Sequence, residues 1–470
     1  MQIEVANNDP ARQATYTKGP VARHVAHLST VMIFGFLAMT LGQLVELVYV
    51  GQLGTQQLAA ITYMFPITMA LNALTRGIGI GASTIIAQAM GESNRDKTAR
   101  TITHCYILVL MFTCSIAIAG YLAAETVFRG LGAQSAVLTL AVNYSHIWFI
   151  GFPCMGIAMV SNGLIRSFGN ATYPGFIMTS APLVQVIVGP FLIFGWFGIP
   201  ALGLMGAAWA FVIGSLLQLL LAAYWYLIKE ALLHASLQGF YQSSSHILIV
   251  GIPAAATNLI QPLSTAFATW MLSQFGTDIV AGFGVASRIE AVAGMVVIGI
   301  STSVVPLVGQ NWGARQFDRV QQALTICYIA CIIWGLIAAI VLWFGASFFV
   351  GSINDDPDLM DTAVTFLHII PISIGFMGLI TVANHAFNAL RQPMPALILS
   401  IGRLVIVYVP LALVGSYLYG YVGVFAATAL ANILVGVFAV YWYQKVMARS
   451  RRQIEQEIAG NVSSSGSLHN

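Results

Sequence analysis

From residue 28 to residue 443 the chain is a string of apolar runs separated by short polar or Gly/Pro/Asn-rich breaks. A membrane-spanning helix needs about 20 mostly apolar residues. Twelve runs meet that length: 28–50, 56–84, 101–122, 138–163, 174–196, 202–228, 246–272, 279–308, 321–350, 362–389, 395–417 and 420–443. They lack the charged outer stripe of helices in a soluble bundle. Only 7% of the 470 residues are charged, against about 25% in a typical soluble chain. The same shortage excludes disorder, coiled coil and nucleic-acid binding. An all-α polytopic membrane protein is predicted.

The charges that remain are distributed unevenly. Fifteen of the 19 Lys and Arg residues fall in the polar arm 1–27, in alternate loops, or after the last run. The opposite loops hold Arg129 and a purely acidic stretch with Asp355, Asp356, Asp358 and Asp361. The positive-inside rule then puts both termini in the cytoplasm, and an even number of spans agrees. The arm has no apolar core close to its start, so no cleavable secretory signal is expected. Five cysteines (Cys105, Cys114, Cys154, Cys327, Cys331) lie in apolar stretches without C-x-x-C spacing, which reads as packing rather than disulfide or metal chemistry.

The two halves match at a constant offset of 222. LGTQQLAA at 53–60 aligns with FGTDIVAG at 275–282, and AQAMGESNRDK at 87–97 with GQNWGARQFDR at 309–319. NGLIRSFGN begins at Asn162 and NHAFNALRQ at Asn384. After a small gap, ALGLMGAAWA at 201–210 resembles YGYVGVFAAT at 419–428. Six spans per repeat is an even number, so both halves enter the membrane in the same direction, the parallel-repeat plan of many carriers. The organisation expected is an N-terminal arm (1–27), an N-lobe (28–228), a cytoplasmic linker (229–245), a C-lobe (246–445) and a flexible cytoplasmic tail (446–470). No Walker A motif is present, so ATP is not the energy source on this chain.

Charge within hydrocarbon is costly, and each instance is a functional candidate. Five are read within spans: Glu46, Arg76, Arg288, Glu290 and Arg403. Glu46 is the only acid in the first six spans and has no basic neighbour along its helix, which suits a carboxylate that loads and releases a proton; a structural or snorkelling carboxylate is the alternative. Gln43 lies one turn earlier. Arg288 and Glu290 are two residues apart and must find partners on other spans, either as a locking ion pair or as a cation or substrate contact. Arg76 and Arg403 read as residues near the cytoplasmic interface with buried stems. Polar groups at Asn72, Asn162, Gln185, Asn258, Gln261, Asn384, Asn388 and Asn432 are candidates for interhelical bonds or a polar cleft. Tyr63, Met64, Phe65, Tyr144, Met178, Phe283 and Met295 are candidates for a greasy, adaptable cavity. Substrate contact is assigned to the first three and to Met178, Phe283 and Met295, together with Asn72, Asn162, Asn258, Gln261, Arg288, Asn384 and Asn388. The histidines lack acids at ligand spacing, and no metal site or catalytic cluster is expected.

Taken together, the VGQLGTQQLAA, AQAMGESNRDKTAR, VGQNWGARQFDR, NGLIRSFGNATYP and LGLMGAAWA stretches make the sequence resemble the multidrug and toxic compound extrusion (MATE) transporters over residues 28–445. The resemblance implies two six-helix bundles around a V-shaped cleft. It also implies export of cationic or amphiphilic compounds in exchange for protons or sodium, with no cofactor. Within the family the chain looks most like the branch related to the DNA-damage-inducible F proteins, whose coupling acid lies in the first span in an Asn-x-x-Asp pattern. Gln43 and Glu46 stand at those places, while Gln185 and Gly189 stand where the fifth-span amide and carboxylate would be. The second carboxylate is missing, which favours proton over sodium coupling, since hard cations want several oxygens. The ion-coupling set expected is therefore Glu46, Gln43, Gln185 and Glu290, in a bacterial inner-membrane protein that works as a monomer among lipids. The alternative is a flippase for lipid-linked substrates, which would want a more basic cleft. A lipid-acting membrane enzyme and a channel are disfavoured.

Overall fold

The computed structural model describes residues 15–198, 200–229, 237–352 and 357–466. Arg12, Asp355, Asp356 and residues 230–236 of the linker lie outside the described residues. The chain forms α1 (Val21–Leu53), α2 (Thr55–Gly91), α3 (Arg95–Gly130), α4 (Ser135–Ser167), α5 (Thr172–Phe194) and α6 (Leu204–Tyr224), the last ending in a π-helical turn, Trp225–Lys229. The second half follows as α7 (Phe240–Ser273), α8 (Thr277–Thr302) with α9 (Val304–Gly313), α10 (Phe317–Gly351), and α11 (Pro357–Ile369) with α12 (Ile374–Ala389). It closes with α13 (Pro393–Ile401), a π-helical stretch, Gly402–Tyr408, and α14 (Val409–Gly466).

Eleven of these segments are long and apolar enough to span a bilayer, and the last of them, Pro393–Gln453, runs for 61 residues. At 1.5 Å per residue that is about 90 Å, far more than one crossing needs. Gly420, with φ 61° and ψ −142°, breaks it into two, which makes twelve spans. Large apolar side chains such as Leu122, Phe344 and Ile406 stay exposed on the outside, as lipid-facing helices require.

The repeat is written into the backbone. Gly54 and Gly276, 222 residues apart, have φ of 127° and 128° and let one span turn directly into the next. Ser93 and Arg315, again 222 apart, both take a left-handed φ of 58°. His146 bonds to the Tyr121 carbonyl and stacks on its ring, and its mate His368 does the same with Trp343. After the gap the structure corrects the sequence alignment by one residue. Gly203 (φ 55°, ψ −130°) has the geometry of Gly420, an offset of 217.

Helices α1–α6 form one lobe and α7–α14 the other, joined mainly by α2 against α7 and α9 and by α1 against α8. All turns on the side of residue 21 form one face, here called the basic face. The lobes meet at that face. A methyl on Gly91 would collide with the Gln310 carbonyl, and one on its repeat mate Gly313 with the Gln88 carbonyl. The Gln88 Nε2 donates to the Ala389 carbonyl (2.6 Å) and the Gln310 Nε2 to the Ser167 carbonyl (2.7 Å). These two lobe-crossing bonds are repeat mates at both ends. Contact continues inward to Gly77 against Ala255 and Thr40 against Met295. Beyond those points the same helix stripes become exposed: Gln43, Leu44 and Leu47 on α1, and Arg76, Met69 and Phe65 on α2. The lobes part there, and the cleft opens away from the basic face.

The N-terminal segment differs from the free polar arm expected. Helix α1 starts at Val21, and Tyr16 is 2% exposed within the apolar core of the C-lobe, alongside Val25 and Leu28. Its backbone N–H donates to Gln310 Oε1, and its carbonyl accepts from Asn311 Nδ2 and Arg319 Nη2. Burial also pushes the Tyr16 phenol well above its usual range.

Candidate functional site

Three polar places interrupt the apolar interior. The first is in the N-lobe. On α1, Val31, Gly35, Gly42 and Tyr49 face α5: Gly42 packs on Pro182, Gly35 on Met178, and the Tyr49 hydroxyl donates to the Val186 carbonyl. Glu46 lies one turn from Gly42 on that stripe, so it points into the lobe and not into the cleft. Its polar neighbour is the Tyr144 hydroxyl of α4, itself 6% exposed among Trp148, Phe149 and Phe152. Among the described residues Glu46 makes no ion pair; the three found there, Lys97–Glu92, Arg129–Glu125 and Arg451–Asp318, all sit at the edges. Gln43 continues the Thr40 stripe, which faces the other lobe, and is exposed to the cleft; Gln185 is half-buried on α5. The four candidate coupling groups are therefore not one cluster. Glu290 belongs to the C-lobe, four residues from buried Ala286 and Gly294.

The second place is in the C-lobe, and it overturns the interfacial reading of Arg403. Its Nη1 donates to Asn432 Oδ1 (2.9 Å) and its Nη2 to Gln261 Oε1 (3.3 Å), while Asn432 Nδ2 donates to Ser373 Oγ (3.1 Å). Arg403 lies in a π-helical stretch, Gly402–Tyr408. Gln261 is thus a partner of Arg403. Among the described residues neither Arg288, which is exposed, nor Glu290 forms the locking ion pair considered from sequence.

The third place is the floor of the cleft. Arg76 is exposed on α2 where the interlobe stripe opens, so it too is not an interfacial residue. Arg166, expected in a loop, belongs to the last turn of α4, with Nη1 3.2 Å from the Met32 sulfur. Arg76, Arg166 and His385 of α12 lie within electrostatic reach of one another. Asn162 and Asn388 are buried there, and each leaves its Oδ1 without a partner. Sequence reasoning missed Arg166 and His385; the signal was the repeat, which pairs Asn162 with Asn384 and Arg166 with Asn388.

Several candidates are packing residues instead. Met64 is 2% exposed in the N-lobe core, Met178 fills the gap left by Gly35, and Phe283 stacks on Phe425 and meets Phe366 edge-on inside the C-lobe. Tyr63 packs against the N-lobe core, and Asn258 bonds back to its own helix at Ala254. Asn384 donates to Ser400 Oγ, Met295 meets Thr40, Asn72 is half-buried, and Phe65 is 59% exposed. Among the described residues no cluster of metal-ligating side chains occurs, and the five cysteines are free.

Two parallel repeats, twelve spans and a central cleft lined by polar groups are the architecture of a membrane transporter. The MatE family model matches residues 32–191 and again 253–414, once per repeat, and the chain belongs to that family. Its relatives include the "FAD transporter" of Shewanella oneidensis, 31% identical over 91% of this chain and 95% of that one. Another is the "Probable multidrug resistance protein YoeA" of Bacillus subtilis, 24% identical over 94% of this chain and 99% of that one. A crystal structure of the Vibrio cholerae MATE transporter VcmN in its bent form superposes with a TM-score of 0.87 at 27% identity, covering 92% of this chain and 98% of that one.

Proposed function

We propose that the chain is a proton-coupled antiporter that exports amphiphilic organic compounds by alternating access, with Glu46 as the carboxyl that carries the proton. The observation that carries this reading is the position of Glu46: inside the N-lobe, facing Tyr144, with no cation among the described residues to neutralise it. A neutral, protonated carboxyl fits a closed lobe interior, and its ionised form needs water from the cleft; the two states favour different lobe shapes. Sodium is the weaker reading because Glu46 is not joined by a second acid, and Gln185 and Gln43 do not gather round it. The position of Glu46 in the first span also favours the branch related to the DNA-damage-inducible F proteins.

The distribution of basic residues makes the basic face cytoplasmic, so the cleft here is outward-facing in a bacterial inner membrane. Export then requires the Gln88 and Gln310 seal to open. Cationic and amphiphilic substrates are supported by relatives named as multidrug proteins, and the apolar upper cleft, with Phe65 and Met69, suits their aromatic bodies. The FAD-transporting relative points to a second reading, a substrate that also carries negative charge, which the arginines of the cleft floor favour. The test is purified protein in vesicles under an imposed pH gradient and then a sodium gradient. Uptake or efflux driven by pH in the wild type and lost in E46Q supports proton coupling through Glu46; a response to sodium alone contradicts it.

A further inference from the structure

From the cleft floor we infer a subsite for a phosphate group carried by an amphiphilic substrate, held by Arg76 and Arg166 of the N-lobe and completed by His385 and Asn388 of the C-lobe. The inference rests on the transporter reading above and narrows its substrate class.

The repeat fixes the geometry. Ser167 and Ala389 end α4 and α12, and each accepts a glutamine from the other half. That pair of bonds holds the last turns of α4 and α12 close to the pseudo-twofold axis. Asn162, Arg166, His385 and Asn388 occupy those turns, on the cleft side of the seal. Arg76 reaches the same place from α2, where the stripe ending in Ala87 and Gly91 stops being buried and becomes exposed.

Two features then point to an anion. Arg76, Arg166 and His385 interact with one another, and among the described residues no carboxylate is one of the groups acting on Arg166 or His385. The nearest partner of Arg166 is the Met32 sulfur, and the phenol of Tyr16, whose hydroxyl is otherwise unpartnered, lies within its field. A half-buried guanidinium such as that of Arg166 is costly to keep without a counter-charge. The second feature is unused hydrogen-bonding capacity: Asn162 Oδ1, Asn388 Oδ1 and His385 Nδ1 are buried without partners. Asn388 is only 3% exposed and Asn162 8%. An asparagine's oxygen and nitrogen exchange places by a flip, and the imidazole can carry its proton on either nitrogen, so all three can donate.

Phosphate fits this set better than a carboxylate does. Guanidinium forks match its oxygens in bidentate fashion, and donors from two lobes can meet different oxygens of one diphosphate. The exposed apolar side chains Phe65 and Met69 higher in the cleft would take an aromatic body. The class described is an aromatic nucleotide-like phosphate ester. A phospholipid headgroup offers the same phosphate chemistry.

Equilibrium binding to the full-length protein tests this without any ion gradient, so its outcome is independent of Glu46 coupling. The probes are riboflavin, FMN and FAD, with inorganic pyrophosphate as competitor, in nanodiscs of phosphatidylcholine and then of phosphatidylglycerol. FAD should bind at least about tenfold more tightly than riboflavin, lose affinity with salt and be displaced by pyrophosphate. R76Q and R166Q should each weaken FAD binding about tenfold and leave riboflavin binding unchanged, with R166K keeping part of the affinity. Loss of FAD binding only in phosphatidylglycerol assigns the same arginines to a lipid phosphate. Equal binding of riboflavin and FAD by the wild type, or equal loss of both in a folded variant, overturns the subsite. Should R166Q not fold, the salt dependence and pyrophosphate competition of the wild type decide.

Discussion

The two lobes share a backbone plan but differ in how they hold a charge: an acid beside one hydroxyl in the N-lobe, a guanidinium bonded to two other helices in the C-lobe. The N-lobe holds Glu46 against Tyr144 and, among the described residues, gives it no cation. The C-lobe holds Arg403, with hydrogen bonds to Asn432 and Gln261. A repeat mate of Glu46 would be residue 268, which is alanine, and the mate of Glu290 would be residue 68, a threonine. These charges are therefore not repeat mates of one another. A carboxyl with one polar neighbour can change its protonation state cheaply, whereas a guanidinium remains charged and, bonded to two helices, ties them together.

The seal is where the lobes should behave alike: Gly91→Val and Gly313→Val each drive a side chain into a backbone carbonyl. Each should cost about 3 kcal/mol, read as a matching fall in thermal stability in nanodiscs; unequal falls would deny the pseudo-symmetry. Arg403→Leu leaves Asn432 Oδ1 and Gln261 Oε1 without their donor and should cost about 2 kcal/mol. A stable R403L protein would show that the C-lobe charge does not lock its helices. Gln88→Ala and Gln310→Ala each remove one lobe-crossing bond and should cost about 1 kcal/mol. Single-molecule distances between the lobes at the basic face should show both variants opening more often, and by the same amount. At the rim, Glu125→Ala breaks an exposed pair with Arg129 on one helix turn and should change stability by less than about 0.5 kcal/mol.

Much of the fold was legible in the sequence, because length and polarity alone define a span and because a 222-residue offset repeats far too often for chance. Other features were not legible, for identifiable physical reasons. A helix apolar on every side gives periodicity nothing to report, so Met64 and Met178, packed inside a lobe, read the same as residues lining a cavity. Position along the chain hid Arg403, whose guanidinium bonds to Asn432 and Gln261 on two other helices, and Arg166, which belongs to a helix end and not to a loop. Polarity misled at the N-terminus as well: Thr15–Thr17 reads as a free arm, yet Tyr16 is buried by bonds to Gln310, Asn311 and Arg319, nearly 300 residues away. Glu46 itself was legible from scarcity, as the only acid within the first six spans. Its orientation toward Tyr144, away from the cleft, required the structure.

The most direct test of the division between the lobes is transport by E46Q in vesicles under an imposed pH gradient, with folding confirmed by its melting curve. Substrate should still exchange across the membrane down its own gradient, while the response to pH disappears. A folded E46Q protein that remains driven by the pH gradient would contradict the assignment of proton coupling to the N-lobe carboxyl.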